Sequence, residues 1–140
     1  MQGATGDFLL IRGTNSDGSP IAPRVTVAVQ PERDAEGWPF VAFTGHRETI
    51  ERWGRVNWLN KSRQWRDEFD FRGARDVEKP RGQWNELICI CENDHITAQL
   101  NGVIVNEAHG VFPRRGKILL QCEGSEIYFR RVALEPMARR

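Results

Sequence analysis

The stretch Gly82–Leu134 decides the fold; it opens GQWNELICICENDHITAQLNGVIVNEAHG and closes GKILLQCEGSEIYFRRVAL. Runs that alternate apolar and polar residues are separated here by turn signals, the pattern of a β-meander. Asn101-Gly102 is the surest turn, because both central residues of a type I′ turn need positive φ and Asn-Gly tolerates that best. It pairs Leu100 with Val103 and Ala98 with Val105. A second turn at Asn93-Asp94 pairs Cys91 with Ile96, Cys89 with Ala98 and Leu87 with Leu100. The two registers agree, since Leu87, Cys89, Cys91, Ile96, Ala98, Leu100, Val103 and Val105 fall on one face; a one-residue slip would scatter them. A third hairpin is expected at Gly124-Ser125, setting Cys122 against Ile127 and Leu120 against Phe129. The expected core includes Val27, Val29, Cys89, Ala98, Leu100, Leu120 and Phe129.

The 140 residues suit one domain, spanning 1–140, with room for a genuine core. Twenty basic residues against 19 acidic ones leave a net charge of +1, so no bulk field points to nucleic acid or an anionic membrane. No apolar run approaches the ~20 residues of a membrane span, and no secretory leader is visible. The three cysteines make no disulfide framework. Cys89 and Cys91 are two apart on one strand, poorly placed to bond each other. All three occupy core-pattern positions and read as buried thiols.

Upstream, Asp7–Arg12 reads as a strand and 13–23 as a loop rich in Gly, Ser, Asn, Asp and Pro. Arg24–Gln30 is the cleanest strand: Val25, Val27 and Val29 form a β-branched inner face, with Thr26, Ala28 and Gln30 opposite. Residues 31–80 are the least legible, with a short strand expected over 40–44 and a helical turn or two over 46–55. Four of the five tryptophans lie between 38 and 65. Most read as plugs that seal loops onto the core; Trp58 is the one expected to stack on a sugar ring. Short antiparallel strands with little helix argue an all-β, antiparallel two-sheet β-sandwich.

Four motifs in order carry a resemblance: Gly82-Gln83-Trp84-Asn85, Leu100–Val105, Gly116–Gly124 and Phe129–Val132. Together they resemble the C-terminal part of the 3-keto-disaccharide hydrolase family, with a thinner match over 7–35. The resemblance implies a concanavalin A-like jelly roll that acts on oxidised glycosides, a carbohydrate ligand, and an extracytoplasmic, periplasmic or secreted location. Family members carry further strands upstream of the segment around Phe8–Arg12, so the expectation is a domain shortened at its N-terminus. Such a domain would leave a sheet edge uncovered and favour homo-oligomers.

The resemblance also supplies site residues. Its strand motif Glu-Val-Gln corresponds to Ala28-Val29-Gln30, keeping Gln30 and losing the carboxylate. Its Leu-Gln-x-Glu-Gly form corresponds to Leu120–Gly124, which makes Glu123 a candidate catalytic acid, base or metal ligand, and an arginine corresponds to Arg12, a candidate catalytic residue placed to clamp a substrate hydroxyl or ketone. Gln30, Trp58 and His46 are the candidate substrate-binding residues. His46, His95 and His109 do not form a metal-ligand spacing, and His95 reads as an exposed turn-flanking residue. There is no phosphate loop, nucleophile elbow or CxxC. Two readings stand. One is an enzyme that cleaves 3-keto-glycosides by elimination and hydration, needing a base, a leaving-group acid and an electrophile, either an arginine or a divalent metal. The other is a non-catalytic carbohydrate-binding or protein-interaction module; Ala28 favours it, whereas Arg12, Gln30 and Glu123 favour the enzyme.

Overall fold

The computed structural model describes residues 4–51, 53–120 and 126–137, among which there is no helix. The chain is all-β and antiparallel, as its alternation requires. Ten strands follow in order: β1 (Phe8–Leu10), β2 (Gly13–Thr14), β3 (Pro20–Ile21), β4 (Arg24–Arg33), β5 (Pro39–Val41), β6 (Arg47–Glu51), β7 (Gly54–Val56), β8 (Leu87–Glu92), β9 (His95–Leu100) and β10 (Val103–Phe112). The main sheet runs β5-β4-β10-β9-β8, and β6 also pairs with β4. A ladder of β1 and β7 forms a second layer, and β2 and β3 make a small hairpin inside the expected loop. The segment 46–55, expected to be helical, is the two strands β6 and β7 with their link.

Burial explains the layering. Val25, Val27 and Val29 of β4, Val41 of β5, Ile50 of β6 and Ala108 of β10 form one apolar face, which Leu10 of β1 and Val56 of β7 cover. A second cluster joins Ala98, Leu100 and Val105 to Trp58, with Phe8 and Val77 at its margin. Leu100 is fully buried there. Leu100→Ala is expected to cost about 2–5 kcal/mol, the usual range for a large-to-small core change, checked by urea unfolding with m unchanged.

Both short turns form as the sequence requires. Asn101 and Gly102 take φ of 50° and 83°, and Asn93 takes 56°. Leu87 pairs with Leu100, Cys89 with Ala98, Cys91 with Ile96 and Leu100 with Val103. The expected Ala98–Val105 pair does not form: the register shifts after Ile104, and Ala98 faces Asn106. The extra residue is a β-bulge, which reverses the alternation beyond it. Val105, Asn106 and Ala108 are buried, whereas Glu107 and His109 turn outward. Asn106 is satisfied inside, its Nδ2 donating to the carbonyls of Gly6 (3.0 Å) and Val56 (3.1 Å).

The far edge of the sheet departs from expectation. Cys89 and Cys91 are exposed, as are Leu87, Ile88 and Ile90, because the second layer does not extend across β8. The third hairpin turn, with Cys122 and Glu123, lies outside the described residues. Its described flanks form no strand, and Leu120 and Phe129 are exposed rather than core. Without a strand beside it among the described residues, β8 keeps a free edge.

Candidate functional site

The outer face of the main sheet gathers the polar side chains, and a break in one edge gives it relief. Val41 of β5 pairs with Val29, and Arg47 of β6 pairs with Ala28, the very next residue of β4. Residues 42–46 therefore loop out of what is otherwise one continuous strand. The loop is held at both ends: Ala42 N donates to Ala28 O (2.9 Å) and Val29 N donates to His46 O (2.8 Å). Positive φ at Phe43 (67°) and Gly45 (102°) turns the chain, while the Phe43 ring packs on the core. Between this loop and β4 opens a cleft of about 440 Å³, lined by Gln30, Arg33, Thr44 and His46 over an apolar floor that includes Val29 and Ala42. That volume lies within the range of small-molecule sites.

Two candidates from the sequence, Gln30 and His46, thus share one cleft. His46 is exposed there. Gln30 is committed to the protein: its Nε2 donates to Val41 O (3.0 Å), and its Oε1 accepts from Arg63 Nη2 (2.5 Å). Arg63 sits over Phe40, its guanidinium carbon 3.5 Å from the ring centre, and reaches Glu32 at 3.6 Å. Gln30 therefore orients a guanidinium. Arg33 is clamped by both oxygens of Glu48 (3.3 and 2.5 Å), whose hydrogen bonds raise the guanidinium's pKa and keep it charged. Arg63 comes from the segment 31–80, where no periodicity marks it.

A second polar group stands on the same face, on β9 and β10. His109 pairs with Thr26 of β4, and the register counted on from Ala108–Ile96 sets His109 opposite His95. The two imidazoles stack at 4.2 Å with 13° between their planes. Glu107 Oε1 lies 2.8 Å from His95 Nε2 and 3.8 Å from His109 Nε2. These three side chains are the ones, among the described residues, that could hold a metal ion. Spacing along the chain conceals them, because only the bulge after Ile104 brings Glu107 and His109 to the face of His95. His95 is therefore not a merely exposed turn residue: it is half-buried and bonded.

The other expected site residues do not converge. Arg12 is exposed in the link between β1 and β2 and is not among the residues lining the cleft. Trp58 is 1% exposed, packed with Leu100 and Val105, so its ring is core and offers no face to a sugar. Trp53 and Trp84 are exposed, each about half open to solvent, and Trp53 stands edge-on to Trp38 at 4.9 Å. Glu123 lies outside the described residues. Ala28 stands on the outer face opposite Arg47, with Thr26 beside it hydrogen-bonded to Thr49 (3.0 Å).

Comparison with known proteins agrees with the motif series. The model of the 3-keto-alpha-glucoside-1,2-lyase-like domain matches residues 9–135, nearly the whole chain. No curated protein and no solved structure matches it.

Proposed function

The chain belongs to the 3-keto-alpha-glucoside-1,2-lyase-like domain family, a carbohydrate-active family, and from that membership we propose that it binds 3-keto-glycosides and cleaves them by elimination. The observation that carries the reading is the cleft itself: an exposed imidazole and a guanidinium, on an apolar floor, in a member of this family. A ketone at C3 acidifies the C2 proton. Removal of that proton lets the electron pair form a C1–C2 double bond as the C1–oxygen bond breaks. The departing oxygen takes a proton, and water then adds across the double bond.

His46 is the proposed base, since imidazole suits proton abstraction near neutral pH and this one faces the cleft. Arg33, the guanidinium that lines the cleft, is the proposed donor to the enolate oxygen; Arg63, held by Gln30, is not among the lining residues. Glu123, the acid or base candidate that the resemblance supplies, is the proposed leaving-group acid. Arg12 has no part at the cleft in this reading. The β8 edge is where a second copy would pair.

The test is release of a chromogenic aglycone from a 3-keto-glucoside, with the parent glucoside as control. Turnover of the keto sugar alone is expected. His46→Ala is expected to lower it about 10²-fold or more, the usual effect of removing a positioned base, and Arg12→Ala to leave it unchanged. Sugar binding without turnover would instead favour the carbohydrate-binding module, the reading that the methyl group at Ala28 supports.

A further inference from the structure

We propose that His95, Glu107 and His109 form a binding site for a divalent transition metal, Zn²⁺ being the first choice. The site stands on geometry and donor chemistry and needs nothing from the substrate reading above. Two imidazoles and one carboxylate are a set that suits zinc and its neighbours, whereas magnesium and calcium prefer oxygen alone.

The ligand atoms already converge. One atom from each residue lies within 4.8 Å of the others, and Glu107 Oε1 stands 2.8 Å from His95 Nε2 and 3.8 Å from His109 Nε2. Bonds of about 2.0–2.1 Å at tetrahedral angles put neighbouring ligand atoms about 3.3 Å apart. The two observed separations bracket that value; the imidazoles stand stacked with 13° between their planes, so at least one ring turns about its Cβ–Cγ bond to aim its nitrogen lone pair at the ion.

The scaffold is suited to such a site. The donors sit on two adjacent interior strands of the main sheet, β9 and β10, whose backbones are fixed by ladder pairing on both sides. All three side chains are about one-third exposed, at 33%, 29% and 36%, so an ion can enter without unfolding. The bulge supplies a further reason: it sets a residue against the alternation so that Glu107 and His109 leave the core side together. Three protein ligands leave a coordination position open toward the polar face that Thr26 shares.

The test is calorimetric titration of the metal-free protein with Zn²⁺ alone, in a buffer that does not chelate. One equivalent per chain at micromolar affinity or tighter is expected. Each of His95→Ala, His109→Ala and Glu107→Gln should weaken binding by at least about tenfold, as loss of a group that holds a metal does. Glu107→Gln is close to isosteric, and its unfolding midpoint without metal should match wild type, which separates lost ligation from lost folding. Cys89→Ser/Cys91→Ser serves as the control for adventitious thiolate binding and should keep full affinity. Binding that survives all three triad variants, that vanishes in the cysteine double variant, or that is weaker than millimolar in wild type would overturn the assignment.

Discussion

Lys61→Ala is expected to destabilise the domain by about 3–5 kcal/mol at neutral pH, the usual cost of leaving one member of a buried ion pair alone. Lys61 and Asp7 are nearly sealed from water, with side-chain exposures of 3% and 10%, and their charged atoms meet at 2.6 Å. The pair closes the fold at a critical place. Asp7 Oδ1 also accepts from Trp58 N (3.0 Å), which seats the tryptophan in the core, and the ammonium lies 4.1 Å from the centre of the Trp65 ring. Without the lysine, a carboxylate remains buried with one backbone donor.

The pH dependence has a definite sign. Burial pushes the Asp7 carboxyl above its ordinary value, the Lys61 charge and hydrogen bonds offsetting this only in part. A group raised on folding contributes stability that is present below its unfolded pKa and is lost as pH rises through the folded one. Removing Lys61 raises the carboxyl further. The variant should therefore be close to wild type in acid, where Asp7 is protonated in both states, and fall behind as pH rises through the folded value. Asp7→Asn combined with Lys61→Met should recover much of the loss, because an uncharged pair needs no compensation. Urea unfolding of the single and double variants across pH measures both effects.

Ala28→Glu is expected to raise the rate of aglycone release from a 3-keto-glucoside by about 10²–10⁴, the contribution of one positioned acid–base group. The resemblance places a carboxylate at this position, and the strand that would carry it is intact: Thr26, Ala28 and Gln30 share the outer face, with the Gln30 end open to the cleft. A glutamate here would stand directly opposite Arg47, a cross-strand pair of opposite charge that stabilises rather than strains the sheet. Stability should change little. A variant that folds, binds the sugar and turns it over no faster than wild type would show that this position carries no proton in the reaction.

What could be read from the sequence was what local backbone chemistry enforces. Asn101-Gly102 and Asn93-Asp94 announce their turns because few other residues adopt those φ values, and the valines of β4 announce a buried face. Two insertions hid the rest. The bulge after Ile104 costs one residue of register and reverses the face of everything beyond it, so alternation alone assigns Glu107 and His109 to the wrong side. The loop 42–46 interrupts a strand between adjacent rungs, which neither composition nor period reveals. Trp58 misled for a different reason. A large aromatic in a loop-rich stretch is equally consistent with a sugar platform and a core plug, and its 1% exposure against Leu100 and Val105 puts it in the core. The register places Cys89 correctly opposite Ala98, but on a strand the second layer does not reach, so alternation overstates its burial.

The central claim, elimination from a 3-keto-glycoside at the His46 cleft, is tested most directly by running the reaction in D₂O. The position to read is C2 of the released 3-keto sugar, by proton NMR at early times, against a protein-free sample that corrects for spontaneous exchange. Elimination removes the C2 proton before water returns one from solvent, so the account predicts deuterium at C2 in the wild-type product and a loss of product formation in His46→Ala. Aglycone release with protium retained at C2 would contradict it, as would a protein that binds the keto sugar and releases nothing.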